Sequence, residues 1–141
     1  MSGLALNGMN ASKIARLHSR FVCELRKLTA AWLSETNHMR KQEKKDVKVR
    51  SNRSFVSKYL HFHLPNAFPI LDSVAVAGLR ENEIKVDAGN YEKYCQAILR
   101  FANDKMPGET LRAIDHCLYA DGRRRIARTK NKPCHTAKTP L

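Results

Sequence analysis

The sequence predicts an all-α fold: a single compact domain of about five helices with a basic C-terminal tail. Three observations predict it. Apolar residues recur at the helical period between Ile14 and Trp32, between Tyr91 and Ala102 and between Leu111 and Leu118. Residues that cap or break helices stand at the ends of these segments. The composition, 43% hydrophobic and 28% charged over 141 residues, is that of a globular chain able to bury a core, which excludes collagen-like, mucin-like and wholly disordered classes.

Asn10 or Ser12 can cap the first helix, whose stripe is Ile14, Leu17, Phe21, Leu25, Leu28 and Trp32. The stripe is expected to face the core, and a core Trp32 replaced by alanine would cost roughly 3–5 kcal/mol. Residues 38–53 have no apolar period and read as a basic loop or a frayed helical extension. Ser54 opens a short second helix, with Phe55, Val56, Tyr59, Leu60 and either Phe62 or His63 available for burial; Pro65 bounds it. LPNAFPILD is an extended turn, after which Asp72 or Ser73 can cap a third helix, VAVAGLREN. The run PILDSVAVAG also fits a buried strand, because short apolar runs are ambiguous.

A polar connection ends at Gly89, and Asn90 can cap a fourth helix that buries Tyr91, Tyr94, Cys95, Ile98, Phe101 and Ala102. Pro107-Gly108 breaks the chain. Leu111, Ile114 and Leu118 mark the last helix, with Gly122 as its C-terminal cap. The domain is thus expected over 1–122. The tail, 123–141, is basic and poor in apolar residues, and is expected to be disordered until bound.

No run reaches the ~18 apolar residues of a membrane span. The stretch MSGLALNGMNASK lacks the basic and apolar regions of a signal peptide. Cys23, Cys95, Cys117 and Cys134 are widely spaced, as expected of reduced thiols. A cytoplasmic protein with no membrane partner is expected.

The net charge of +13 is concentrated. Residues 40–53 carry seven basic and two acidic side chains, and residues 122–141 seven basic and none acidic, so two short segments hold +12 of it. Clustered Lys and Arg gain affinity for polyanions by releasing condensed counterions. The expected contacts to nucleic acid are Arg40, Lys41, Lys44, Lys45, Lys48, Arg50 and Arg53 in the loop, and Arg123, Arg124, Arg125 and Arg128 in the tail. DNA is the favoured partner, with RNA as the other.

Most chemistry-bearing patterns are missing. His61 and His63 are two residues apart, so on a helix they point to different sides, and His116-Cys117 and Cys134-His135 lack zinc spacing. No GxSxG elbow or glycine-rich phosphate loop is present. No metal or other cofactor is expected.

A third candidate is Lys58 with Asp72. Ser57-Lys58 precedes YLHF, Pro69-Ile70-Leu71-Asp72 precedes a short apolar helix, and LRAIDHCLYADG follows later. Over roughly residues 53–122 this order resembles small relatives of the helix-hairpin-helix DNA glycosylases, the 8-oxoguanine glycosylase type, although VRSNRSFVS stands where those proteins carry a glycine-containing hairpin. The resemblance implies Lys58 as the amine attacking the sugar C1′ and Asp72 as the carboxylate stabilising positive charge there. A lysine amine becomes a Schiff-base nucleophile when burial or nearby cations lower its pKa, and a carboxylate at a helix N-terminus stays ionised. Phe62 or Phe68 would support an extruded base.

Three functions are therefore open: a minimal DNA glycosylase or abasic-site lyase, a non-catalytic DNA- or RNA-binding helical module, and a toxin or defence effector docking on an acidic partner protein.

Overall fold

A computed structural model describes residues 10–39 and 52–131, apart from the side chains of Leu33 and residues 35–39. The described chain is helical without strands: α1 (Ala11–Met39), α2 (Arg53–His63), α3 (Ser73–Glu81), α4 (Tyr91–Lys105) and α5 (Leu111–Lys130). The strand alternative for PILDSVAVAG is not adopted. The Asp72 carboxylate instead caps α3 by accepting from Ala75 N at 2.8 Å, so the helix starts where its first free N–H groups find an acceptor. Asn90 caps α4 and Asn10 caps α1 in the same way.

The core forms around α4 and α5. Tyr94, Cys95, Ile98, Phe101, Leu111, Ile114 and Leu118 are essentially inaccessible to solvent, joined by Leu79 from α3 and Val56 and Leu60 from α2. All six apolar positions expected on α4 are buried.

α3 and α5 make the most intimate helix pair. A β-carbon on Gly78 would overlap the Leu118 carbonyl, and one on Gly122 would overlap the Val74 carbonyl. The two backbones meet where neither helix carries a side chain. Gly122 therefore does not end α5, as expected from its helix-stopping tendency; it lies inside the helix, which runs two further turns to Lys130. Polar groups extend this seam. The buried Asp121 accepts from Asn82 Nδ2 at 2.8 Å and pairs with Arg124, while Glu81 pairs with Arg125 and Arg128. Residues 123–130, expected to belong to a disordered tail, are thus part of the folded body. Cutting the chain after Gly122 would remove helix that packs on α3.

α1 packs differently from expectation. Ile14, Ala15 and His18 are buried, with Val22 and Leu25 half-buried. Leu17, Phe21, Leu28 and Trp32 are 42%, 47%, 68% and 62% exposed. The contact line is rotated away from the bulkiest stripe. The small Ala15 lets α1 approach α4, and the His18 ring stacks on Tyr91 at 3.7 Å between ring centres. His18 Nε2 lies 3.0 Å from the Arg53 carbonyl at the start of α2, and burial holds the imidazole below its usual pKa, so it donates there as a neutral ring. At ~1.5 Å per residue this 29-residue helix is longer than the elements it packs on, and past Leu25 its large side chains Leu28 and Trp32 are exposed. Trp32 is therefore not the core residue the periodicity predicts.

Candidate functional site: a lysine–aspartate pair beside a buried carboxyl

The segment between α2 and α3 has no regular structure, yet four successive residues of it are tied down by side chains. His61 Nδ1 lies 2.7 Å from the Phe68 carbonyl, and the Tyr91 hydroxyl donates to the Pro69 carbonyl at 2.7 Å. The Tyr94 hydroxyl donates to the Ile70 carbonyl, and the Ser57 hydroxyl accepts from Leu71 N at 2.9 Å. Backbone groups buried outside helices need partners, and here α2 and α4 supply them. Burial raises the pKa of Tyr94 far above the ordinary phenol value, so this donor keeps its proton. The consequence is positional. Asp72, the next residue, is delivered to the start of α3 with its carboxylate facing α2.

There Lys58 meets it. Lys58 Nζ lies 3.5 Å from Asp72 Oδ2, while Oδ1 accepts the capping bond from Ala75. The lysine side chain is about half exposed and the aspartate is 20% exposed. The two residues expected to carry chemistry are thus brought together, and the aspartate also lines a cleft between α3 and α5. That cleft has a volume of about 420 Å³ and is lined by Ile70, Asp72, Ala75, Asp115, His116 and Tyr119.

Asp115 was not singled out by any sequence pattern. It sits on α5, 7% exposed, with both carboxylate oxygens shut off from solvent beside the Ile70 backbone and His61. His61 Nδ1 is 3.3 Å from Oδ2 but is already committed to the Phe68 carbonyl. Burial pushes the Asp115 carboxyl up to about 7; the backbone of Ile70 opposes the shift, and the nearby charge of Asp72 adds to it. Two carboxyl groups therefore face one cleft in different environments. Asp72 has a cap bond and a lysine, and Asp115 has neither. Pairs of acids separated in this way often divide acid and base roles.

The other expected residues fare unevenly. Phe62 is 81% exposed and free to meet a base, but Phe68 is 3% exposed, packed in the core, and is unavailable for stacking. Phe55 and Tyr59 are also exposed, so α2 turns only Val56, Ser57 and Leu60 inward. Arg40, Lys41, Lys44, Lys45, Lys48 and Arg50 lie outside the described residues. Arg53 begins α2 and donates to the Gly89 carbonyl. Arg124, Arg125 and Arg128 are bound to Asp121 and Glu81, which leaves Arg123 as the one expected arginine of α5 with no ion pair among the described residues.

A second basic surface was not anticipated. Arg16 and Arg26 of α1 join Arg53 around a cleft of about 700 Å³ that also reaches the start of α4 and Glu92. Its signal was present in sequence only as basic residues ten apart on one helix, which carries no specificity. Among the described residues no cluster of three or more His, Cys, Asp or Glu could hold a metal ion, and no helix is long and apolar enough to cross a membrane.

No protein-family model, curated protein or solved structure matches the chain.

Proposed function

We propose that the chain is a DNA-binding protein that acts as a glycosylase or abasic-site lyase, with Lys58 as the amine nucleophile. The observation that carries this reading is the 3.5 Å approach of Lys58 Nζ to Asp72 Oδ2, a carboxylate that lines the α3–α5 cleft. At an abasic site, the deprotonated Lys58 amine adds to the sugar C1′ aldehyde and water leaves, forming an imine. Loss of a C2′ proton then breaks the C3′–O bond, and hydrolysis returns the amine. With a base still attached, the amine attacks C1′ while the base departs with the bonding pair and takes up a proton. Asp72, held in place by its cap bond, stabilises the positive charge that develops on the sugar. Arg16, Arg26 and Arg53 supply phosphate contacts, together with the basic residues of the 40–53 segment.

A non-catalytic binding module is the second reading. It is favoured by the fact that Asp72 and Lys58 already account for each other as a helix cap and its counter-ion.

Borohydride trapping on a labelled duplex with one abasic site separates the two. The expected result is a covalent adduct that Lys58→Ala reduces at least a hundredfold. An adduct undiminished in that variant would assign the reaction to another amine. Absence of an adduct, with a gel shift that weakens steeply with salt, would establish the binding module.

A further inference from the structure

α2 shows the solvent a face of aromatic rings that the core does not use. Val56, Ser57 and Leu60 turn inward, while Phe55, Tyr59 and Phe62 are 60%, 49% and 81% exposed. The three follow one another at spacings of four and three residues, so they share one side of the helix. Their rings belong to one row. Phe55 stacks on Tyr59 at 6.4 Å between ring centres, Tyr59 meets His63 edge-on at 4.6 Å, and His63 meets Phe62 edge-on at 5.3 Å. Single exposed apolar residues are ordinary, but a contiguous patch of them marks an interaction site.

We propose that this face of α2 is a stacking platform for unpaired bases, and that the DNA the protein prefers is single-stranded.

Three observations select that partner. The first is the kind of side chain. Every large apolar residue that the helix itself exposes is aromatic, and every base has a flat π-face that can lie on such a ring. In a duplex those faces are covered by the neighbouring pairs, so only unpaired bases are open to protein rings. The second is charge. α2 carries Arg53 and Lys58 and has no Asp or Glu, which complements the phosphates of a strand whose bases lie on the rings. A second copy of a chain with net charge +13 would bring like charge to like. The third is placement. Phe55 to Phe62 covers about 10 Å of helix, roughly the length of three stacked bases at ~3.4 Å each. Lys58 stands three residues after Phe55 and four before Phe62, so it borders the same face. A strand seated on the rings passes its sugars beside that amine. The platform stands on the rings and the charge; the choice of DNA rests on the reading above.

The test is fluorescence anisotropy of the full chain with a labelled oligodeoxynucleotide of about 12 nucleotides, either single-stranded or annealed to its complement. The expected result is single-strand binding about fivefold or more tighter than duplex binding at the same salt. Tyr59→Ala and Phe62→Ala should each weaken single-strand binding about tenfold and leave duplex binding within about twofold. Phe62→Leu keeps an apolar side chain without a π-face and should lose as much as Phe62→Ala, whereas Phe62→Trp should bind at least as tightly as the wild type. The rings lie on the surface, so circular dichroism should show each variant folded. Equal binding of duplex and single strand, wild-type affinity in Phe62→Leu, or tighter binding of RNA of the same sequence would each overturn the proposal. A dimer in sedimentation that Phe62→Ala dissolves would also overturn it, by giving the face to a second copy. Ring-dependent single-strand binding without abasic-site trapping would defeat the lyase alone. Trapping, with single-strand binding indifferent to the rings, would defeat this inference alone.

Discussion

Replacing Gly122 by alanine is expected to destabilise the protein by about 3 kcal/mol, at the upper end of the ordinary cost of overpacking. The residue sits inside α5, where alanine is favoured over glycine by ~1 kcal/mol on propensity alone, so an exposed site would respond with a gain. The loss is expected because the added β-carbon would overlap the Val74 carbonyl, and backbone cannot step aside as a side-chain end can. α3 would have to shift away from α5, loosening the bonds of Asp121 and Glu81 across the seam. Gly108→Ala is the comparison. That glycine has a φ of +83°, which disfavours alanine, but nothing lies within reach of the new atom. It should cost only ~1 kcal/mol. Urea unfolding of both variants checks the pair, and a Gly122→Ala loss below 1 kcal/mol would mean that the helices do not meet as described.

The second large effect concerns pH. Asp115 has its folded-state pKa raised from 3.8 to about 7, so the native state holds a proton that the unfolded state has released. Between those values stability falls as pH rises, because the unfolded chain binds fewer protons there. The stabilisation is complete below the unfolded pKa and gone above about 7. At ~1.4 kcal/mol per pH unit the ceiling is on the order of 4 kcal/mol, and relaxation around the carboxylate will reduce it. His18 works in the opposite direction. Its lowered pKa means that the unfolded state binds the extra proton, so its contribution strengthens as pH rises towards the ordinary histidine value. The difference between Asp115→Asn and the wild type isolates Asp115, since His18 is common to both. The variant is expected to gain stability over the wild type by ~2 kcal/mol or more between pH 4.5 and pH 8, measured by urea unfolding at both. A difference that does not change with pH would show that Asp115 ionises in the folded protein as freely as on the surface.

Much of the fold was legible because it depended on local rules. Asp72, Asn90 and Pro107-Gly108 mark helix ends through chemistry that acts within a few residues, and the α4 stripe is buried as its period requires. The misreadings share a tertiary cause. Gly122 has the same sequence signature whether it caps a helix or lets another helix touch it, and only the position of α3 decides. In α1 the heavier apolar stripe loses to a rotated face carrying Ala15 and His18, because what matters is fit against α2 and α4. Phe68 reads as a free aromatic in an irregular turn, but that turn is lashed to the core by Tyr91 and Tyr94.

The candidate site divides along the same line. Lys58 and Asp72 stand out in the sequence through the resemblance that their segment carries. The resemblance gives Asp115 no role: an aspartate on a helix face is ordinary until the fold buries it. Arg16 and Arg26 likewise gain meaning only when α1 lies beside Arg53.

The Ser57 hydroxyl, which accepts from Leu71 and donates to the Ser54 carbonyl, has a consequence for heredity. It anchors the turn one residue before Asp72 and stands one residue before Lys58, so it sets the separation of the two groups without touching either charge. Serine and lysine form one unit of geometry and charge. A lineage that kept the lysine but exchanged the serine for a larger residue would retain the amine and lose the distance, and in descendants the two positions should change together.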